Sequence, residues 1–234
     1  LDRERFVALL QETSGEVGVS LSIHQAEQFL LYLQELLSWN RRFNLTAITD
    51  PDQIVIKHFV DSLTPLPFLG SPESLLDLGS GAGFPGLPLK IASPGLQVNL
   101  VDGRGKKISF LKHLIRTLAL TGISAIHCRM EELPQRKVPF QTLISRAFRR
   151  PEPLLEAASV LLGPGTKMVV MLGPTTREDQ VAFRGLAAAR GLELSRVESL
   201  ELPRGRGRRT LLFFTKTQPA GPSDQISKVA HTGM

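Results

Sequence analysis

The 234-residue chain is predicted to be an α/β protein built on a doubly wound, mostly parallel sheet of seven strands, preceded by a helical lobe. Three observations predict it. Residues 1–70 carry helical periodicity and no strand pattern. From Ser74 onward, apolar runs of strand length alternate with amphipathic stretches of helix length. The last two runs are joined by the short, Gly- and Arg-rich segment 203–209, too short for a crossover helix, so the final strand should be antiparallel.

In the lobe, helices are expected over about 3–17, 25–39 and 51–61. The middle one has an apolar stripe at 26, 29, 30, 33, 36 and 37, and Ser22 before Gln25 reads as a capping box. Tyr32 and Trp39 could stack on bases, but on this stripe core packing is the better reading. His58 and Asp61, three apart, would share a helix face. They read either as a base with its orienting carboxylate or, preferably, as a hydrogen-bonded knot tying the lobe to the sheet.

Strands are expected at 75–78, 98–101, 124–127, 142–145, 167–172, 192–199 and 210–215, with helices at 85–92, 106–120, 153–162 and 177–190. This gives a lobe over 1–70, a sheet domain over 71–217 and a disordered tail over 218–234, where Pro, Gly, Ser and Lys follow no period.

Composition narrows the function. A net charge of +6 favours a polyanionic partner, and the basic residues cluster at Arg41-Arg42, Arg104 to Lys107, Arg149-Arg150 and Arg204, Arg206, Arg208 and Arg209. Any one pair can be solvated surface, whereas several on one face would be a nucleic-acid footprint. The single cysteine, Cys128, allows no internal disulfide or zinc cluster and reads as a buried small side chain. No metal is expected. With no apolar run of membrane-spanning length and no secretory leader, the expected setting is a reducing cytoplasm without membrane contact. The chain opens on Leu1 rather than Met, so a few residues are expected to precede it.

The stretch LLDLGSGAGFPG, 75–86, is the chemical centre. An apolar run ending near Asp77 meets glycines at 79, 81 and 83, then Phe84-Pro85-Gly86, which reads as strand, tight turn and a helix opening at Pro85. Glycine admits positive φ and lets main chain approach an adenosyl or phosphate group beside a helix N-terminus. Residues 81–86 also fit the dinucleotide fingerprint G-x-G-x-x-G, but that frame normally starts at the strand end, and Gly79 precedes it. Read from Asp77, the order of acid, apolar residue and G-x-G-x-G resembles the first motif of class I S-adenosylmethionine methyltransferases. Asp102, ending the next apolar run, can accept hydrogen bonds from both ribose hydroxyls in either cofactor class. A glycine loop that only turns a corner is the alternative to both.

Four stretches should meet at the carboxyl ends of the strands: 79–84, 102–105, 129–132 and 145–148. Met130 could pack on adenine, with Glu131 or its main chain accepting from the adenine amino group; a solvated acidic turn is the alternative. Arg146, with no acid beside it in sequence, should face an anion or form a salt bridge between loops.

The runs FNLT at 43–46, HFVDS at 58–62, LDLGSGAGFPG at 76–86, the Asp102 region with KK and FLK, and SRAF at 145–148 resemble the bacterial 16S ribosomal RNA guanine-N7 methyltransferases, formerly glucose-inhibited division protein B. The resemblance runs from about residue 20 to 215. It implies a class I methyltransferase fold, Rossmann-like and seven-stranded, and S-adenosylmethionine as cofactor. Its substrate would be 16S ribosomal RNA or the small ribosomal subunit. Independently of the resemblance, the chain is expected to be a monomer. Gly79, Phe84, Met130, Glu131 and Arg146 would contact the cofactor or line its site, with Ser80, Gly81, Gly83 and Asp102 completing it. Arg204, Arg206, Arg208 and Arg209 are the candidate RNA contacts. The family commonly has Lys-Gly after its fifth strand, where this chain has Leu172-Gly173, so another cation would have to serve, with the 204–209 loop the candidate.

Attack by guanine N7 on a sulfonium methyl needs no general base, because N7 has a free in-plane pair and no proton to lose. An arginine against N7 itself would oppose the developing cation, so Arg146 is better set against the cofactor carboxylate, a phosphate or guanine O6. A small-molecule methyltransferase on the same sheet, a non-catalytic ribosome-assembly protein and a nicotinamide oxidoreductase are the rival readings.

Overall fold

The computed structural model describes residues 2–71, 73–146 and 151–217. The expectations for Ala147, Phe148, Arg149 and Arg150 and for the tail 218–234 therefore lie outside the described residues.

α1 (Arg3–Glu16) starts at Asp2, whose carboxylate accepts from Arg5 N. α2 (Ile23–Phe43) starts in a reciprocal box between Ser22 and Gln25 and stops where Asn44 turns left-handed at φ 47°. Its length exceeds the expected 25–39 at both ends, because the apolar stripe marks only the packed turns. The expected helix over 51–61 is three pieces run head to tail: α3 (Pro51–Ile54), a π-helical stretch (Val55–Val60) and α4 (Asp61–Leu63). The wider π turn re-aims the side chains of HFVDS, a deviation that no periodicity argument anticipates. α5 (Leu66–Leu69) also escaped the sequence reading.

The strands are β1 (Ser74–Leu78), β2 (Gln97–Asp102), β3 (Ile123–His127), β4 (Thr142–Arg146), β5 (Lys167–Leu172), β6 (Leu192–Glu201) and β7 (Arg208–Lys216). Between them lie α6 (Gly86–Ala92), α7 (Gly105–Thr117), α8 (Leu133–Arg136), α9 (Pro151–Leu161) and α10 (Arg177–Ala188). The expected opening at Pro85 moves by one residue: Pro85 is the N-cap of α6, after a cis Phe84–Pro85 peptide. α8 and the 3-10 turn Met130–Glu132 stand where a plain loop was expected, and a 3-10 turn, Pro203–Gly205, sits inside the segment joining β6 and β7.

The sheet order is β3-β2-β1-β4-β5-β7-β6, parallel throughout except for β7, which runs antiparallel to both β5 and β6. Side-chain alternation sorts the two faces. Leu75, Val98, Leu100, Ile144, Val169, Met171, Leu211 and Phe213 share a core with α1, α2, the 51–63 run, α6 and α7. Leu76, Leu78, Val101, Leu143, Met168, Val170, Leu212 and Phe214 pack against α9 and α10 residues on the other face. The N-terminal helices thus share one core with the sheet, and they reach its carboxyl edge from that side. Among the described residues no helix is long and apolar enough to cross a membrane.

Candidate functional site

β1 ends at Leu78 and the glycine loop hangs on its neighbour β2. Gly79 N and Ser80 N both donate to Val101 O, at 2.9 and 3.0 Å. Gly79, Gly81 and Gly83 all take positive φ (78°, 61° and 106°), so the turn needs glycine there. At Gly83 space adds to the demand: a Cβ would lie 2.6 Å from the Tyr32 hydroxyl. At Gly86 it would lie 2.5 Å from Leu100 Cδ2 and 2.8 Å from Asp77 Oδ2.

Two carboxylates hold the loop from opposite sides. Asp77, fully buried under α6, accepts from Gly86 N at 2.8 Å through Oδ2, and its Oδ1 has no hydrogen-bond partner. Burial pushes its carboxyl up to about 7, against the lowering effect of the Gly86 N–H. Asp102 accepts from Gly81 N at 3.0 Å and from Arg104 N at 2.8 Å, one bond to each oxygen, with Lys107 Nζ 3.7 Å away. Each of its oxygens keeps a second lone pair for a ligand hydroxyl.

Beside the loop lies an open cleft of about 320 Å³ lined by Leu78, Gly79, Val101, Asp102, Gly103, Cys128, Arg129, Met130 and Glu131. Three of the four expected stretches meet here. Of the sequence-predicted residues, Gly79, Asp102, Met130 and Glu131 are on the wall, Met130 half-buried and Glu131 exposed. Gly81 bonds to Asp102 just behind it, while Ser80 turns inward, its hydroxyl donating to the Asp77 and Val101 carbonyls at 3.1 Å each. The Cys128 thiol is buried and pushed up by that burial, so it stays protonated wall.

Gly83, Phe84 and Arg146 are not on that wall. Phe84 is buried in a stack, 5.5 Å from the Tyr32 ring and 4.7 Å from His58, with the Arg146 guanidinium 4.9 Å from its centroid. Arg146 Nη1 donates to Lys57 O and Asp61 Oδ2, both at 3.3 Å. The acid that sequence proximity failed to supply comes from the lobe, across 85 residues. Asp61 accepts a second guanidinium through Oδ1, Arg209 Nε at 2.8 Å. Arg209, one of the candidate RNA contacts, is thus paired with Asp61 and only partly exposed. Arg204 pairs with Glu12 of α1 at 3.2 Å, while Arg206 and Arg208 stay exposed.

His58 is also engaged. Its Nε2 lies 2.8 Å from Thr46 Oγ1, and its Nδ1 lies 3.1 Å from Lys57 O and 3.4 Å from Arg146 Nη2. With the ring proton on Nδ1, that nitrogen donates to Lys57 O and Nε2 accepts from the Thr46 hydroxyl, whose oxygen accepts from Ile48 N. Burial, then the Arg146 charge, hold His58 down at about 3. A neutral imidazole with both nitrogens used is a structural tie. Asn40 sets this up by binding Thr46 O and N at 3.0 and 2.9 Å. Among the described residues no three His, Cys, Asp or Glu side chains converge as a metal site.

Sequence reasoning missed Tyr32 as a support of the loop: its hydroxyl donates to Ala82 O. It also missed the pairing of Arg209 with Asp61. The polar residues Asn44 and Thr46 just past α2, and His58, Asp61 and Ser62 in the mostly apolar 54–63 run, were the available signals.

The strand order, the glycine turn and the acid ending β2 define a class I methyltransferase fold. Two solved structures share it: the ribosomal protein L11 methylase from Lactobacillus delbrueckii subsp. bulgaricus (TM-score 0.53, 10% identity, 69% of this chain and 79% of that one) and M. jannaschii TYW2 in complex with AdoMet (0.51, 14%, 68% and 76%). The chain belongs to the GidB family, rRNA small subunit methyltransferase G, whose profile matches residues 25–210. Ribosomal RNA small subunit methyltransferase G of Myxococcus xanthus is 39% identical over 218 residues, 92% of this chain and all of that protein.

Proposed function

We propose that this chain transfers the methyl group of S-adenosylmethionine to N7 of a guanine in 16S ribosomal RNA, as a cytoplasmic monomer whose 1–70 lobe braces the 71–217 methyltransferase domain. The observation that carries it is the cleft between the ends of β1, β2 and β3, where main chain at Gly79 comes close to an acid with spare lone pairs, Asp102. Those groups fit an adenosyl cofactor: Asp102 would accept the ribose hydroxyls, Met130 would pack on adenine, and Glu131 would accept from its amino group. The cofactor supplies a methyl on a positively charged sulfur. Everything else asked of the protein is positioning and exclusion of water.

That demand matches the side chains at the β4 edge. Guanine N7 has no proton to give up, and the nearby imidazole, His58, is neutral and used on both nitrogens. Arg146 keeps N–H groups beyond those given to Asp61 and Lys57, and these would meet the cofactor carboxylate, an RNA phosphate or guanine O6. N7 lies on the deep-groove edge of A-form RNA, so the target guanine is in a loop or splayed out. Leu172, the last residue of β5, pairs in register with Thr210, which sets exposed Arg208, the first residue of β7, two residues beyond the end of β5. Arg206 and Arg208 are the proposed replacements for the family's lysine.

The test is incubation with methyl-labelled S-adenosylmethionine and either naked 16S RNA or small subunits, followed by nucleoside analysis. Label in N7-methylguanosine is expected. Label in another nucleoside would overturn the substrate, and label in none the enzymatic reading.

A further inference from the structure

α2 and α7 pack antiparallel. Gln28 reaches Leu118 O at 3.3 Å, Glu35 meets His113 at 2.6 Å, and Trp39 lies 5.1 Å from His113 and 5.5 Å from Phe110. Continued for one more turn, this register carries the carboxyl end of α2, with Arg41, Arg42 and Phe43, towards the amino end of α7, with Arg104, Lys106 and Lys107. Two basic clusters far apart in sequence thus fall at the same end of the helix pair. That end lies beside the glycine loop, since Lys107 Nζ is 3.4 Å from where a Gly81 Cβ would be.

Arg41, Arg42, Arg104 and Lys106 are exposed, and none of them makes a salt bridge among the described residues. The helix dipole accounts for cations at the end of α2 but works against Lys106 and Lys107 in the first turn of α7, which has no acid. Phe43, 37% exposed, is the aromatic among the large apolar side chains left open in the described residues. Its ring is braced by Trp39 at 5.3 Å, and it directly follows the two arginines in the chain.

An open, braced ring among unpaired cations matches a single-stranded nucleic acid, whose bases stack and whose phosphates need counter-charge. We infer that Phe43, with Arg41, Arg42 and Lys106, is the platform that grips an unpaired base and its phosphates next to the cleft. This deepens the ribosomal RNA reading and rests on it for the identity of the strand.

The test measures affinity of the full chain for single-stranded and loop-containing 16S RNA fragments over a salt series, with S-adenosylhomocysteine calorimetry as the check on the cofactor cleft. Phe43→Ala should weaken RNA binding about 5- to 100-fold, and Phe43→Tyr should keep most of it. Arg41→Gln/Arg42→Gln/Lys106→Gln should lower the slope of log affinity against log salt by about 3. S-adenosylhomocysteine affinity should be unchanged in all of them. RNA affinity and salt slope equal to wild type in both sets would overturn the platform. Wild-type protein that binds RNA through these residues but methylates nothing would overturn the catalytic reading and leave the platform standing.

Discussion

The hydroxyl of Tyr32 donates to the carbonyl oxygen of Ala82 at 2.5 Å, so the glycine loop is held from the lobe as well as from the sheet. Tyr32 is fully buried on α2, and burial pushes its phenol well above the ordinary range, keeping it a proton donor. Tyr32→Phe leaves Ala82 O without that donor, a loss of about 1–3 kcal/mol. Thermal unfolding should shift down accordingly, and S-adenosylhomocysteine binding should weaken. A variant with wild-type stability and binding would show that the loop holds its shape unaided.

Gly83→Ala should be worse, and Tyr32→Phe should not rescue it. The added methyl would also crowd Leu111 Cδ2 at 3.2 Å and Leu87 Cβ at 3.3 Å, at a φ of 106° that alanine resists. Recovery of cofactor binding in the double variant, read by calorimetry, would refute this.

Asp61 divides its two oxygens between Arg146 and Arg209 while only slightly exposed itself. Asp61→Asn removes the charge both guanidiniums rely on and should cost about 3–5 kcal/mol in urea unfolding. Removing charge from Arg206 and Arg208, by contrast, should change stability by less than about 0.5 kcal/mol while weakening RNA binding and lowering its salt slope by about 2. Unchanged RNA affinity in that pair would reject the role proposed for the β6–β7 segment.

His58 is held at about 3, below its ordinary value near 6.5, so the unfolded chain takes up a proton more readily. Its contribution is complete above about pH 6.5 and is lost as pH falls towards 3. Asp77, raised to about 7 from an ordinary 3.8, slopes the other way: its contribution is complete below about pH 3.8 and is lost as pH rises to 7. The stability of His58→Gln relative to wild type should therefore improve on going from pH 7 to pH 4, measured as urea midpoints. A difference that stays constant across that range would mean His58 titrates normally.

Asp102→Ala removes the acceptor of both Gly81 N and Arg104 N along with the proposed ribose contact. Cofactor binding should be abolished by calorimetry, and retained tight binding would displace Asp102 from the site.

The sequence by itself determined the strands, the glycine turn and the sheet edge at which the cleft opens, because these follow from local periodicity, from glycine's freedom at positive φ and from the connection lengths. Seven apolar runs in order, with a short final link, leave few topologies open, and the observed sheet is among them. Periodicity could not say which charges meet. Arg146 was open to an anion or to a salt bridge between loops and Arg209 to RNA, and Asp61 pairs with both, while Arg41-Arg42 and Lys106 read as separate clusters that antiparallel α2 and α7 carry to one end of the helix pair. Long side chains from distant elements pair through space, and only the packing of the lobe against the sheet fixes which of them are neutralised and which remain open to a polyanion.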